Sequence, residues 1–318
     1  MGTARILITG VGGFVGSHLA RRIAERGSSA LGIGSESPPP ETERFLTQAW
    51  RADVCDGGAL DSVIAESRPD AIVHLAAQSS GAVSFERPVE TYSVNAMGTL
   101  ALLEAVRRAA PAARVLVVGT GEVYGPQPDG NRVAEDAPFH PVSPYALSKA
   151  AADVIAETCA RIWTLDVVRT RSFGHIGPGQ IDRFVVPSLA RQIAEIEAGR
   201  NEPVLRVGNM DVTRDLTDVR DVVEAYLALL DHGQSGAAYN VCRGRGTRLA
   251  DIAQSLCVRA RVPIRIEVDP ERVRTADLRY LVGDPGVIAR DTGWKATIPI
   301  DRTLDEVLEE WRSRLTEG

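Results

Sequence analysis

Ser143-Pro144-Tyr145-Ala146-Leu147-Ser148-Lys149 sets a phenol and an ammonium four residues apart. On a helix, residues at i and i+4 share a face, and Pro144 suits a first helical turn. A phenol titrates near pH 10, too high for efficient proton exchange at neutrality, and a nearby cation stabilises its ionised form. The pair is thus suited to exchanging a proton with a substrate oxygen. Tyr–Lys pairs are also common on helix surfaces, so this one needs partners. Thr120 is one: it ends the apolar run that begins at Arg114, and its hydroxyl can share a substrate oxygen with Tyr145.

A second group of residues suggests what stands beside that oxygen. Gly10-Val11-Gly12-Gly13-Phe14-Val15-Gly16 follows an apolar run and opens a helical pattern, with Gly10, Gly13 and Gly16 three apart. Glycines permit a tight turn and close backbone approach, and the amides of a helix start attract a pyrophosphate. The strand–turn–helix setting reads as a dinucleotide site. The ribose 2′ position is less plain. Residues 30–33 lead into Gly34-Ser35-Glu36, where the usual aspartate is missing, Glu36 is the available acid and no arginine adjoins in sequence. Either NAD(H) or NADP(H) fits, with NADPH favoured. Asp53-Val54 follows the third strand, where it would meet the adenine.

These groups need a sheet edge to hold them. Apolar runs at residues 5–9, 30–33, 71–75, 114–118 and 165–168 alternate with helical patterns. Runs without polar alternation are buried on both faces, as in a parallel sheet covered by helices. The pattern predicts an α/β fold, a Rossmann-type doubly wound parallel sheet with right-handed crossovers. After Gly174 the character changes. A loop at residues 175–180, helices at 185–198 and 218–230, strands at 204–207, 238–241 and 264–268, and a last helix ending near Trp311 suggest a smaller C-terminal α/β lobe. The expected division is a dinucleotide domain at 1–174, with 211–242 returning to it, and a substrate lobe from 175–210 and 243–318. Residues 35–41, with three consecutive prolines, read as a mobile surface loop.

Composition narrows the partners. With 318 residues the chain can bury a large core without disulfides. A net charge of −6 argues against nucleic acid or an anionic membrane as partner. No run approaches the roughly 20 apolar residues of a membrane span. The 4 cysteines form no metal-ligand spacing, so no metal is expected, and they read as reduced thiols of a cytoplasmic protein.

The motifs together resemble extended short-chain dehydrogenase/reductases from end to end. The matching pieces are residues 9–16, His74-Leu75-Ala76-Ala77-Gln78, Asn95, Thr120-Gly121-Glu122-Val123-Tyr124-Gly125, residues 143–149, 214–218 and Thr292-Gly293-Trp294-Lys295. The resemblance implies that Leu75, Ala76 and Ala77 line the cofactor and that Gln78 meets substrate. The second half is similar to GDP-4-keto-6-deoxy-D-mannose reductases, through His175-Ile176-Gly177-Pro178-Gly179-Gln180, Val207-Gly208-Asn209, residues 214–219 and Tyr239-Asn240-Val241-Cys242. That implies a nucleotide-sugar substrate, with Arg214 and Arg274 on its diphosphate and Asp277 on its ribose. His175 either orients substrate or fastens its own loop. Gly174 stands where those reductases usually carry Asn, which implies a lost side-chain contact. Glu122, two residues after Thr120, resembles the Thr-x-Glu of nucleotide-sugar 4,6-dehydratases, so dehydratase or 4-epimerase is the alternative. A homodimer through residues 97–110 and 144–162 is a further implication.

Overall fold

The computed structural model describes residues 4–273 and 278–317. Strands in chain order are β1 Arg5–Thr9, β2 Ser29–Gly34, β3 Gln48–Arg51, β4 Ala71–His74, β5 Arg114–Thr120, β6 Val167–Ser172, β7 Gly174–Ile176, β8 Val204–Val207, β9 Thr213–Asp218, β10 Ala238–Val241, β11 Gly246–Arg248, β12 Arg265–Val268 and β13 Tyr280–Leu281. The main sheet has seven strands in the order β10-β6-β5-β4-β1-β2-β3. All its pairings are parallel. This is the doubly wound arrangement expected from the apolar runs, with the order reversing between β1 and β4.

Apolar side chains fill both faces of this sheet. Leu19, Ile23 and Tyr226 pack on one, and Leu60, Leu103 and Val106 on the other. The smaller lobe has its own core of Leu189, Ile193, Leu205, Leu256 and Leu308. Strand β9 lies in a second sheet with β7, β11 and β13, and β8 pairs with β12. The helix Val219–His232 and β10 then return the chain to the main sheet.

Three of the differences from expectation bear on the site. The last helix runs over Ile300–Glu317, past Trp311. Strand β6 begins two residues later than the apolar run and extends through Arg169, Thr170, Arg171 and Ser172, all buried. The proline segment is folded against the glycine turn: a short helix covers Pro40–Glu43, Thr42 Oγ1 donates to Ser17 Oγ at 2.7 Å, and a Cβ on Gly12 would lie 3.5 Å from Pro39.

Candidate active site

The glycine turn joins β1 to the helix Phe14–Glu25. Gly10 has φ +71°, and a Cβ there would lie 2.8 Å from the Ala76 nitrogen. A Cβ on Gly16 would lie 2.6 Å from the Gly10 and Val11 carbonyls. Glycine is therefore required at both. Gly13 occupies the cap position, no side chain caps the helix, and its first turn carries no acid. Gly12 and Gly13 are exposed. The uncovered, positively polarised helix start fits a pyrophosphate. Phe14 and Val15, half-buried, begin the helix; Asp53 is exposed beyond β3, and Val54 is buried.

At the end of β4 a directed hydrogen-bond chain forms. The Ala76 amide donates to Thr9 Oγ1 at 3.2 Å. Thr9 lies 2.8 Å from His74 Nδ1, and His74 Nε2 lies 3.1 Å from Thr99 Oγ1. Thr99 donates its own proton to the Asn95 carbonyl at 2.6 Å. Thr99 must therefore accept from Nε2–H, and Thr9 must donate to Nδ1. Burial pushes His74 down to about 3, which keeps it neutral. This chain sets the Leu75-Ala76-Ala77 turn beside Gly10.

Asn95 extends the chain sideways. Its Oδ1 accepts from the Gln78 amide at 2.8 Å, and its Nδ2 donates to the Gln78 carbonyl at 3.0 Å and to Ser148 Oγ at 2.9 Å. Ser148 donates to the Tyr145 carbonyl at 2.7 Å. Asn95 sits in a π-helical segment, Ser93–Met97, a local widening that turns the side chain toward the site. Its linking role rests on tertiary contacts, and in the sequence only the resemblance marks it. The Gln78 side chain is engaged in its own turn, donating to the Ser80 carbonyl and Thr91 Oγ1 at 3.0 Å each.

The helix Pro144–Trp163 starts on a Ser143 cap accepting from the Ala146 amide. The Tyr145 phenol lies close enough to the Thr120 side chain for that side chain to favour its ionised form. Burial first, then the charge of Glu122, raise the Tyr145 phenol above its ordinary value. Lys149 is buried and its Nζ donates to the Val118 carbonyl at 2.6 Å; burial lowers it to about 8, with Asp153 opposing. Thr120 accepts from the Glu122 amide at 3.2 Å, which fixes its hydroxyl at the end of β5. Phenol, hydroxyl and carboxylate thus meet where a parallel sheet presents its ligands. A protonated phenol beside a hydroxyl can deliver a proton to a developing alkoxide.

The loop at residues 175–180 packs against the first turns of the helix Phe14–Glu25, beside the glycine turn. His175 stacks on Phe14 with ring centroids 6.1 Å apart, and its Nδ1 lies 3.1 Å from the Phe173 carbonyl. His18 Nε2 lies 2.8 Å from the Pro178 carbonyl. Gly174 sits closely against its neighbours: a Cβ would lie 2.9 Å from the tip of the Leu216 side chain and 3.0 Å from the Asp215 carbonyl. Arg214 donates to the carbonyls of Thr213 and Leu278. The neighbouring acids have other partners: Asp218 pairs with Arg220 at 2.7 Å, and Asp215 accepts from the Arg243 and Gly244 amides at 2.9 Å. Arg274 and Asp277 lie outside the described residues. A cleft of about 420 Å³ opens in the lobe between Gln192, Arg206 and Arg272.

Fold and site define the class: an extended short-chain dehydrogenase/reductase. A model of the GDP-mannose 4,6 dehydratase family matches residues 7–307, and the chain belongs to that family. It is 37% identical to a GDP-6-deoxy-D-mannose reductase of Pseudomonas aeruginosa, covering 99% of both chains. It is 29% identical to a GDP-mannose 4,6-dehydratase of Vibrio cholerae serotype O1, covering 95% of this chain and 92% of that one. The structure of RMD from Pseudomonas aeruginosa complexed with NADPH superposes with a TM-score of 0.87 at 36% identity, covering 98% of this chain and 100% of that chain.

Proposed function

We propose that this chain reduces the 4-keto group of GDP-4-keto-6-deoxy-D-mannose to give GDP-D-rhamnose, using a nicotinamide dinucleotide. The approach of the Thr120 side chain to the Tyr145 phenol at the sheet edge, beside an open glycine turn, carries the reading. The full-length likeness to a GDP-6-deoxy-D-mannose reductase supports the substrate. Gly10, Gly13, Phe14, Val15 and Gly16 would hold the pyrophosphate, Asp53 and Val54 the adenine, Leu75, Ala76 and Ala77 the opposite wall, and Tyr145 and Lys149 the nicotinamide ribose. When bound, the reduced nicotinamide supplies a hydride.

The chain's own residues manage the oxygen. Tyr145 delivers its proton to the C4 oxygen, and Thr120 donates to the same atom. A phenol raised by burial and by Glu122 is held protonated, the state a reductase needs at the start. Two oriented donors on a developing oxyanion stabilise it by several kcal/mol, about 3 for one good donor. Lys149 holds the ribose and, while charged, favours the phenolate left after proton delivery. Arg214, with Arg274 and Asp277, takes the nucleotide diphosphate and ribose, and His175 fastens its own loop against Phe14.

We also propose that residues 1–174, with 211–242 returning, form the dinucleotide domain, that 175–210 and 243–318 form the substrate lobe, and that the chain is a cytoplasmic homodimer. No described helix is long and apolar enough to cross a membrane. The pairing would use the helices Gly98–Ala109, with Met97 at its cap, and Pro144–Trp163; Met97, Leu147, Val154 and Ile162 are exposed.

Glu122 favours one second reading, a 4,6-dehydratase, because its charge reaches Tyr145 as a proton-removing group would require. Two incubations separate the readings. Oxidation of NADPH with GDP-4-keto-6-deoxymannose, and no reaction with GDP-mannose alone, is the reductase result. A 4-keto product from GDP-mannose alone would assign the dehydratase.

A further inference from the structure

The group that reads the ribose 2′ position is not adjacent to β2 in sequence, but the fold brings one there. Strands β2 and β3 are parallel neighbours with Gly34 opposite Arg51. The Ala52 amide donates to the Gly34 carbonyl at 2.9 Å, which ties the end of β3 to the turn after β2. Arg51 Nε then donates to the Ser35 carbonyl at 2.9 Å. A single hydrogen bond thus holds an exposed guanidinium at the first residue beyond β2.

The surroundings leave that guanidinium available. Among the described residues Arg51 makes no ion pair, whereas the nearby Arg44 is folded over the Phe45 ring at 4.7 Å. Glu36 is exposed on the same turn and does not pair with Arg51. The prolines at 38 and 39 lean on Gly12, so the segment carrying Ser35 is closed against the glycine turn. The floor between Gly12, Ser35 and Arg51 is where a doubly wound fold places the adenosine ribose. A guanidinium bound through Nε keeps both Nη groups for a second acceptor, and a phosphate dianion suits that fork far better than a hydroxyl.

We propose that Arg51, oriented by the Ser35 carbonyl, binds the 2′-phosphate and makes this chain select NADPH over NADH. The inference rests on the dinucleotide reading above and assigns its specificity to a residue on β3.

Direct binding, followed by calorimetry or tryptophan fluorescence without sugar substrate, tests it. The wild-type chain, Arg51→Ala and Arg51→Lys are each titrated with NADPH, NADH and 2′,5′-ADP. Wild-type is expected to bind NADPH at least about tenfold more tightly than NADH. Arg51→Ala should weaken NADPH and 2′,5′-ADP by about 10- to 100-fold and leave NADH within about twofold. Arg51→Lys should fall between. Equal losses for both dinucleotides, no loss for either, or a wild-type preference for NADH overturns the inference while the dinucleotide reading stands. A wild-type chain that binds neither dinucleotide overturns both.

Discussion

Lys149 is supported from two sides by opposite means. Toward β4 the support is neutral: Thr9, His74, Thr99 and Asn95 pass hydrogen bonds in one direction and carry no charge. Toward β6 it is ionic. Asp153, one turn after Lys149, contacts Arg169 at 2.5 Å and Arg171 at 3.0 Å, and all three side chains are at most 7% exposed. Arg171 also donates to the Tyr124 hydroxyl at 2.9 Å and lies over the Phe139 ring at 4.6 Å. The neutral side orients groups without altering the field at the site. The ionic side places one buried carboxylate among three buried cations, Lys149 included, so it alters that field strongly. Geometry and charge are thus set from separate elements, and each can be broken alone.

The largest expected effect is on the ionic side. Asp153→Asn leaves Arg169 and Arg171 without their shared carboxylate; among the described residues the one carboxylate still paired with them is the exposed end of Glu157, at 2.9 Å from Arg169. Uncompensated buried charge costs about 3–5 kcal/mol, which denaturant unfolding would register. Loss of Asp153 also removes the attraction that holds Lys149 up, so the alkaline fall of turnover, expected in the wild-type chain where Lys149 loses its charge at about 8, should move to lower pH. An unchanged pH profile in a folded variant would separate the cluster from Lys149.

Next comes the group that both sides serve. Tyr145→Phe keeps the ring and removes the proton. Turnover should fall at least about a hundredfold, near 2.7 kcal/mol of barrier, with little change in KM. Near-normal turnover would remove Tyr145 from its role and leave the two supports with nothing to position.

The two sides also differ in how far the sequence revealed them. The glycine turn, the Tyr145–Lys149 spacing and Thr120 were legible because local geometry alone gives them meaning. Apolar strands were legible for the same reason: residues 5–9, 204–207 and 238–241 match β1, β8 and β10. The ionic side was hidden. Arg169 and Arg171 read as the end of an apolar run, yet they are strand residues whose charges are satisfied by a helix 16 to 18 residues earlier in the chain. Strand β9 was hidden likewise, since Thr213-Arg214-Asp215 looks exposed until its loop amides and carbonyls are seen to pair with it. Strand β3 is a largely exposed edge with weak patterning, and the approach of Arg51 to Ser35 depends wholly on its register. Polar residues that find their partners through tertiary contact leave no periodic trace.

On the neutral side a smaller loss is expected. Thr99→Val removes the acceptor of His74 Nε2–H and the donor to the Asn95 carbonyl, both buried. A buried donor left unpaired costs about 1–3 kcal/mol. The pH profile of turnover should keep its shape, because no charge has changed; only Tm or the denaturant midpoint should fall. A displaced profile would show that the neutral chain also tunes Lys149, and the contrast with Asp153→Asn would be lost.

The smallest effect has the opposite sign. Lys149 titrates near 8 in the folded chain against 10.5 when unperturbed, because burial disfavours its charge. The unfolded chain therefore binds the extra proton between those values, and wild-type stability gains from this residue as pH rises through that window. Below pH 8 both states are charged and the penalty is constant, about 3 kcal/mol from a shift of this size. Lys149→Met escapes the penalty but loses the hydrogen bond to the Val118 carbonyl, for about 1 kcal/mol or somewhat more. At pH 7 the variant should thus be about 1–2 kcal/mol more stable than wild-type while losing turnover. The difference should shrink, and then reverse, as both are unfolded at pH values rising toward 10.5. A variant less stable at pH 7 would mean that the Asp153 cluster already offsets the cost of burying the ammonium, so that the ionic side stabilises the fold as well as the charge at the site.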